Sequence, residues 1–328
     1  MRVFDCFLFF NELDLLEIRL NLLYQHVDYF VIVESEITFQ GNLKEFVFEK
    51  NQERFEKFKD KIVYYKIYNY NIDFNKLPYI KNPNNDDEIV LNKIYKLVED
   101  ANDFNKNEFW WGNDNFQRES IWRALVQVKP SNTDLILLSD ADEIISTQAL
   151  MKVKKEIKSN LLYCCKQHEF YYFLNYYHHS NWLGQTCFLY GSYKFQSLNR
   201  LRAYRTGINE GYNFVMLENA GWHFTNLGDV KTIKNKINSW GHKEFNNLIV
   251  LKALKYNIEH GYDIFRRKNF GKLKYINADN PLLNSLPILS SSKYYHLFGP
   301  MIKNESWVQQ LVFSLYFKIA IRLARFFG

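Results

Sequence analysis

Two short apolar runs lie near the start of the chain, VFDCFLFF (Val3–Phe10) and YFVIVES (Tyr29–Ser35). Between them, NELDLLEIRLNLLYQHV places Leu13, Leu16, Leu20 and Leu23 at helical spacing. A strand, a helix and a strand so arranged predict a βαβ unit on a parallel sheet. A third strand is expected over Lys61–Tyr68, after a charged helix around Glu49–Lys59. SIWRALVQV (Ser120–Val128) reads as a helix that feeds the apolar run Leu135–Leu138. The alternation predicts an α/β fold with a mainly parallel central sheet. Residues 69–115 are polar and rich in Asn and Asp, and read as a variable insertion with one helix near Glu88–Ala101. Beyond Asp142, HEFYYFLNYYHHSNWLG alternates aromatic and polar residues, the pattern of antiparallel strands or of an aromatic-walled cleft. A helix is expected over Lys231–Ser239.

The last stretch, Ser306–Gly328, is apolar with Lys318, Arg322 and Arg325 on one helix face. It reads as a C-terminal amphipathic helix, set either on an acidic membrane surface or on the core with a solvated basic edge. The chain therefore divides into a domain over 1–300 and a terminal helix over 301–328.

Composition narrows the classes. At 328 residues, 47% of them hydrophobic, the chain can bury a sizeable core. Its net charge of +6 is spread along the sequence, so no nucleic-acid footprint is indicated. Four cysteines without a CxxC pair argue against a disulfide framework and for a reducing compartment. The N-terminal apolar run is broken by Asp5 and ended by Asn11 and Glu12, a poor signal peptide and a good first strand.

The stretch DLILLSDADEIIST delivers Asp140, Asp142 and Glu143 at the end of an apolar strand. Asp140 or Asp142 would cap a helix over Glu143–Lys158 if the cluster were only an acidic turn. Like charges this close repel, and a cation relieves that most simply; hard carboxylate oxygens suit Mg²⁺ or Mn²⁺. Two Asp-x-Asp chemistries remain open: an aspartyl phosphotransferase with Asp140 as nucleophile, and a nucleotide-sugar transferase whose cation bridges the donor diphosphate.

Further stretches occur in order: DCFLFFNELDLLEIRLNLL, VDYFVIVESEITFQGNLKEF, NFQRESIWRAL, LLSDADEI and AGWHFTNLGDVKTIKNKINSWGHKEFN. Together they resemble glycosyltransferase family 17, from Arg2 to about Arg267. The resemblance implies a GT-A-like fold, a divalent cation (Mn²⁺ or Mg²⁺) and inverting transfer from a UDP-sugar, UDP-N-acetylglucosamine, to a glycan or lipid-linked glycan acceptor. Family sequences often read DEIP where this chain has Asp142-Glu143-Ile144-Ile145, and Gly-Gly where it has Ala220-Gly221. Animal members carry an N-terminal anchor; this chain opens on its first strand, so the expectation is a cytoplasmic enzyme, peripheral at the inner face of a membrane.

Residue by residue, Asp140, Asp142 and His223 are the expected metal ligands, with Asp140 alternatively on the ribose. Asp142 and Glu143 are the candidate catalytic carboxylates, and Glu143 alternatively starts the next helix. Asn11, Glu12 and Glu34 end the first two strands, where an α/β sheet meets base and ribose. Lys44, Gln117 and Arg118 are candidates for the donor and its diphosphate. His242 would touch phosphate or acceptor, or cap the Lys231–Ser239 helix. Trp110, Trp111, Tyr171, Tyr172 and Trp182 could stack on sugar faces. Glu143, Glu169, Glu210 and Glu218 are the carboxylates from which a general base would come. A sugar-binding protein without turnover is the remaining alternative.

Overall fold

The computed structural model describes residues 1–68, 72–202, 211–239, 248–286, 292–309, 311–313, 315 and 317. The N-terminal half runs β1 (Val3–Leu8), α1 (Leu13–Leu23), β2 (Tyr29–Ser35), α2 (Val47–Lys50), a 3-10 helix (Gln52–Lys61) and β3 (Ile62–Ile67). There follow α3 (Asp86–Asp100), α4 (Phe109–Glu119), α5 (Ile121–Gln127), β4 (Leu135–Asp140), β5 (Glu143–Ile145) and α6 (Thr147–Glu156). The remainder comprises β6 (Leu162–Tyr171), β7 (Tyr176–Leu189), α7 (Tyr190–Tyr193), α8 (Leu198–Leu201), β8 (Phe214–Leu217), β9 (Gly221–Thr225), α9 (Val230–Ser239), α10 (Leu248–Glu259) and β10 (Lys274–Tyr275), then a 3-10 helix over Ser292–Leu297.

One sheet joins the strands in the order β3-β2-β1-β4-β7-β6-β9-β5, with β10 beside β7 and β8 beside β6. From β3 to β4 every pairing is parallel, and both faces are covered, which is why these strands are continuous apolar runs. Alternation sorts their side chains: Val3, Phe7, Leu135 and Leu137 pack toward α1 and α6, while Phe4, Cys6, Ile136 and Leu138 pack toward α3, α4 and α5. At β4–β7 the sheet turns antiparallel, and its second half is mixed. The expected mainly parallel sheet is thus found in the N-terminal half alone. β6 and β7 form the antiparallel pair that the aromatic alternation anticipated.

Two local expectations are corrected. Glu143 does not begin a helix: Glu143–Ile145 is a buried strand antiparallel to Gly221–His223. The β-branched pair Ile144-Ile145 suits a strand, and Ser146 caps α6 by accepting from the Ala149 N–H at 3.2 Å. The polar 69–115 segment is also less loop-like than expected, since α4 starts inside it.

All four cysteines are buried thiols. Among the described residues no helix is long and apolar enough to cross a membrane. Near the C-terminus, residues 307–309, 311–313, 315 and 317 are helical. Phe313 stacks on Tyr256 at 3.9 Å and Phe317 is buried, whereas Trp307, Val308, Leu311, Val312 and Leu315 are exposed. Lys318, Arg322 and Arg325 lie outside the described residues.

Candidate active site

Chain order reverses between β1 and β4: β2 and β3 continue on one side of β1, and β4 returns on the other. In an open α/β sheet the crevice beyond the carboxyl ends at such a reversal is where ligands bind. Here those ends carry Asn11 and Glu12 from β1, and Asp140 and Asp142 from β4.

The turn after β4 is held from beneath by a buried arginine. Arg19 of α1 and Asp5 of β1 are both 0% exposed and pair at 2.5 Å. The same guanidinium donates to the carbonyls of Asp140, Ala141 and Glu143 and to Ser139 Oγ. One fork thereby satisfies the backbone of the turn and fixes its path. Sequence reasoning missed Arg19, because a lone arginine on an amphipathic helix reads as solvated.

Asp140 faces the opposite side of the sheet, toward α4. Oδ1 accepts from Arg118 at 2.6 Å, and Arg202 spans both oxygens at 2.8 and 3.0 Å. Arg202 also donates to Glu143 Oε2, and Trp182 Nε1 donates to Glu143 Oε1 at 3.1 Å. Arg202 reaches this position through Glu119. That buried carboxylate accepts from Ser197 Oγ and from the Leu198 and Asn199 N–H groups, anchoring α8 just before Arg202. Burial pushes the Glu119 carboxyl up from its ordinary value, against the pull of those donors. Neither Glu119 nor Arg202 has a local sequence signal.

The Asp142 carboxylate meets residues of α9 and β9. Lys236 of α9 donates to its Oδ2 at 3.2 Å and lies 3.5 Å from Glu12 Oε1. Burial opposes charge on Lys236, but Asp142 and Glu12 outweigh it and hold the ammonium above its ordinary value. His223 Nε2 is 3.7 Å from Asp142 Oδ1. β9 brings it there, lying between β5 and β6 with His223 in register with Glu143 on one side and Glu169 on the other. Gly221 makes this close packing possible: at φ +137° a Cβ would stand 2.1 Å from the Ile144 carbonyl oxygen. The His223 ring stacks on Trp182 at 4.1 Å, and its Nδ1 is 3.6 Å from Glu169 Oε1. Burial resists charge on Glu169, but the hydrogen bond with His178 and the nearby imidazole of His223 outweigh it and hold the carboxyl well below the usual range.

The repulsion within the acidic cluster is therefore relieved by the side chains of Arg118, Arg202 and Lys236. The metal set divides accordingly. Asp142 Oδ1 and His223 Nε2, 3.7 Å apart, are an oxygen and a nitrogen of the types that suit Mn²⁺, and Thr225 Oγ1 lies 3.2 Å from the same nitrogen. Asp140 fits less well, because both its oxygens already accept from guanidinium groups.

The other expected site residues are placed as follows. The Asn11 N–H donates to Glu12 Oε2 at the β1 tip. Glu34 is fully buried and accepts from Lys44 Nζ, from the Val47 and Phe48 N–H groups and from Tyr64 OH, so it ties down the loop after β2. Gln117 is buried and donates to the Ile37 carbonyl at 3.2 Å. His242 and Glu210 lie outside the described residues. Glu218 is an exposed partner of Lys166. Tyr172 is wholly buried, donating to the Tyr262 carbonyl and accepting from the Ile264 N–H. Tyr171 is buried against Phe270 and donates to Glu169. Trp110 packs edge-on against Phe109, and Trp111 lies half-buried on α4. Of the aromatic candidates, Trp182 is the one set directly against His223 and Glu143.

Among family models, that of glycosyltransferase family 17 matches residues 1–94. The matched span includes Asp5, Glu12, Arg19, Glu34 and Lys44; the acidic turn and His223 lie beyond it. No curated protein matches the chain.

Proposed function

Taking the match of residues 1–94 to the model of glycosyltransferase family 17 together with the geometry of the crevice, we propose that the chain is an inverting, metal-dependent transferase of GT-A type. It moves N-acetylglucosamine from UDP-N-acetylglucosamine to a hydroxyl of a glycan or lipid-linked glycan. The observation that carries this reading is the convergence of Glu12, Asp142, Lys236 and His223 at the β1/β4 reversal, the crevice where an α/β sheet takes a nucleotide.

Glu12 and Asn11 face the nucleoside side of that crevice. Lys236 releases Asp142 and turns to the donor diphosphate, whose phosphate oxygens replace the carboxylate as partner of its ammonium. Arg118 and Arg202 keep Asp140 and Glu143 fixed; Glu143, fully buried, acts through Arg202 and Trp182 as a positioning residue. Asp142 and His223 are the residues to hold Mn²⁺ or Mg²⁺, which supplies Lewis-acid stabilisation of charge on departing UDP. The acceptor hydroxyl gives its proton to a carboxylate acting as general base and attacks the anomeric carbon from the face opposite UDP, and Trp182 offers the flat surface against which a pyranose ring can lie. An aspartyl phosphotransferase gains nothing from the geometry, since Asp140 is braced by two arginines instead of standing as a nucleophile.

The exposed tail residues Trp307, Val308, Leu311, Val312 and Leu315 share one helix face. That face supports a peripheral seat on a membrane from the cytoplasmic side, close to a lipid-linked acceptor.

The test is a thermal-shift and UDP-release assay with Mn²⁺ and a panel of UDP-sugars. Stabilisation by UDP plus Mn²⁺, absent in Asp142→Asn, is expected. No stabilisation of the intact chain by UDP and Mn²⁺ would sink the proposal, and binding without turnover on any acceptor or in slow hydrolysis would leave a sugar-binding protein.

A further inference from the structure

A second cluster of ligating side chains stands behind His223. Between β6 and β7, Phe170 pairs with Tyr177 and Glu169 with His179, so His178 is an extra residue on β7. Such a bulge breaks the alternation of side chains along a strand. Both imidazoles therefore reach Glu169: His178 Nδ1 lies 2.7 Å and His179 Nε2 3.3 Å from the same Oε2. Among the described residues, these are the His and carboxylate groups whose ligand atoms, at least three together, all fall within 4.8 Å of one another.

The surroundings fix two of the three groups. Tyr171 OH donates to Glu169 Oε1 at 2.9 Å. His178 Nε2 faces the Phe270 carbonyl, which can only accept, so that nitrogen carries a proton. The Phe270 ring stacks on His178 at 4.0 Å and 12° and sets its plane. His178 Nδ1 then points a lone pair at a carboxylate oxygen, unless a proton or a cation stands between them. An imidazole that donates from one nitrogen to a backbone carbonyl while the other faces a carboxylate is the arrangement that orients a metal ligand.

We propose that Glu169, His178 and His179 form a site for a divalent transition-metal ion of the zinc type, separate from the crevice at Asp142. Two imidazole nitrogens and one carboxylate oxygen suit Zn²⁺, which such donors hold more tightly than Mn²⁺. His179 is 40% exposed, so the ion keeps a side open to water. Ligation has a cost: His179 Nδ1 accepts from the Asn181 N–H at 3.2 Å, and binding through Nε2 moves the ring proton to Nδ1 and gives up that contact. Because Glu169 also adjoins His223, the ion steadies the histidine that faces Asp142.

The untagged full chain, stripped with chelator, is titrated with Zn²⁺ by calorimetry and with Co²⁺ by absorption. One ion per chain is expected at this site, with affinity lower by about tenfold or more in His179→Ala, and undiminished in Asp142→Asn. His179→Ala replaces a part-exposed side chain and preserves the fold; His178→Ala is checked for folding by near-UV circular dichroism. Wild-type affinity and stoichiometry in both folded histidine variants would overturn the assignment. So would an intact chain that binds no Zn²⁺ and shows His178 protonated on both nitrogens by NMR, an ion pair with Glu169. Loss of the ion in Asp142→Asn would show that the two sites are one. Since Zn²⁺ binding is read without UDP, its failure is distinguishable from failure of the transferase reading.

Discussion

Replacing Arg19 by methionine tests whether the buried arginine shapes the acidic turn. The change keeps most of the side chain's length and removes the charge. Asp5, 0% exposed, is left as an uncompensated buried carboxylate, which costs about 3–5 kcal/mol. The carbonyls of Asp140, Ala141 and Glu143 lose a donor, and Ser139 Oγ loses a partner, in the same direction. Against a total stability of about 5–15 kcal/mol, this is a large fraction. Urea unfolding followed by tryptophan fluorescence, at low temperature, measures it. The double variant Asp5→Leu with Arg19→Met discriminates the causes. It removes both charges and should recover much of the loss, because an apolar pair replaces a buried ion pair at little cost. It should not recover UDP–Mn²⁺ affinity, because the turn still lacks its donor. A loss below about 1 kcal/mol in Arg19→Met, with unchanged UDP affinity, would refute the reasoning.

The remaining expectations are smaller in scope. Burial opposes charge on Asp134, but the Arg2 and Ser131 N–H groups and the Arg2 guanidinium outweigh it and hold its carboxyl below the ordinary value. Its contribution is therefore complete above the unfolded value near 4 and is lost as pH falls through the lower folded value. The stability difference between wild type and Asp134→Asn, about 1.5–3 kcal/mol at neutral pH, should shrink below pH 4; a difference that grows in acid would reverse the sign. Gly221→Ala forces a Cβ onto the Ile144 carbonyl at a left-handed backbone position, and should lower stability by more than about 1 kcal/mol and weaken UDP–Mn²⁺ binding through His223. Normal behaviour of that variant in both assays would mean β5 and β9 separate readily. Removing residues 306–328 should weaken binding to vesicles rich in anionic lipid; an intact chain that never binds such vesicles ends the membrane proposal.

What the sequence made legible follows from what is local. β1, β2 and β4 are buried on both faces, so their apolar runs could be read directly; in α1 the spacing of Leu16, Leu20 and Leu23 was readable, although residues 15–20 are all buried. α4 was hidden because its polar residues are buried. Asn113 donates to the Phe39 carbonyl, Gln117 to that of Ile37, and Glu119 anchors α8. A pattern that equates polarity with solvent reads such a helix as loop. β5 was hidden because three residues are too few to show a period. At the β1/β4 crevice, the acids stood out as types at a spacing, and His223 was singled out through the family resemblance. Arg202 and Lys236 were not, because their partners lie 62 and 94 residues away. The paired imidazoles of His178 and His179 depend on a bulge, which adjacency in sequence does not announce.

The position of β9 between β5 and β6 has a consequence for how the protein is made. Its partners precede it by more than fifty residues in the case of β6 and by more than seventy in that of β5, so this closure spends loop entropy late and belongs among the slow steps of folding. A nascent chain released before residue 221 can carry the acidic turn and the arginine beneath it, yet has no histidine to face Asp142. On the proposed reading, nucleotide affinity appears only once β9 is inserted and α9 has followed it with Lys236, so nucleotide binding would serve as a clock for that stage of synthesis.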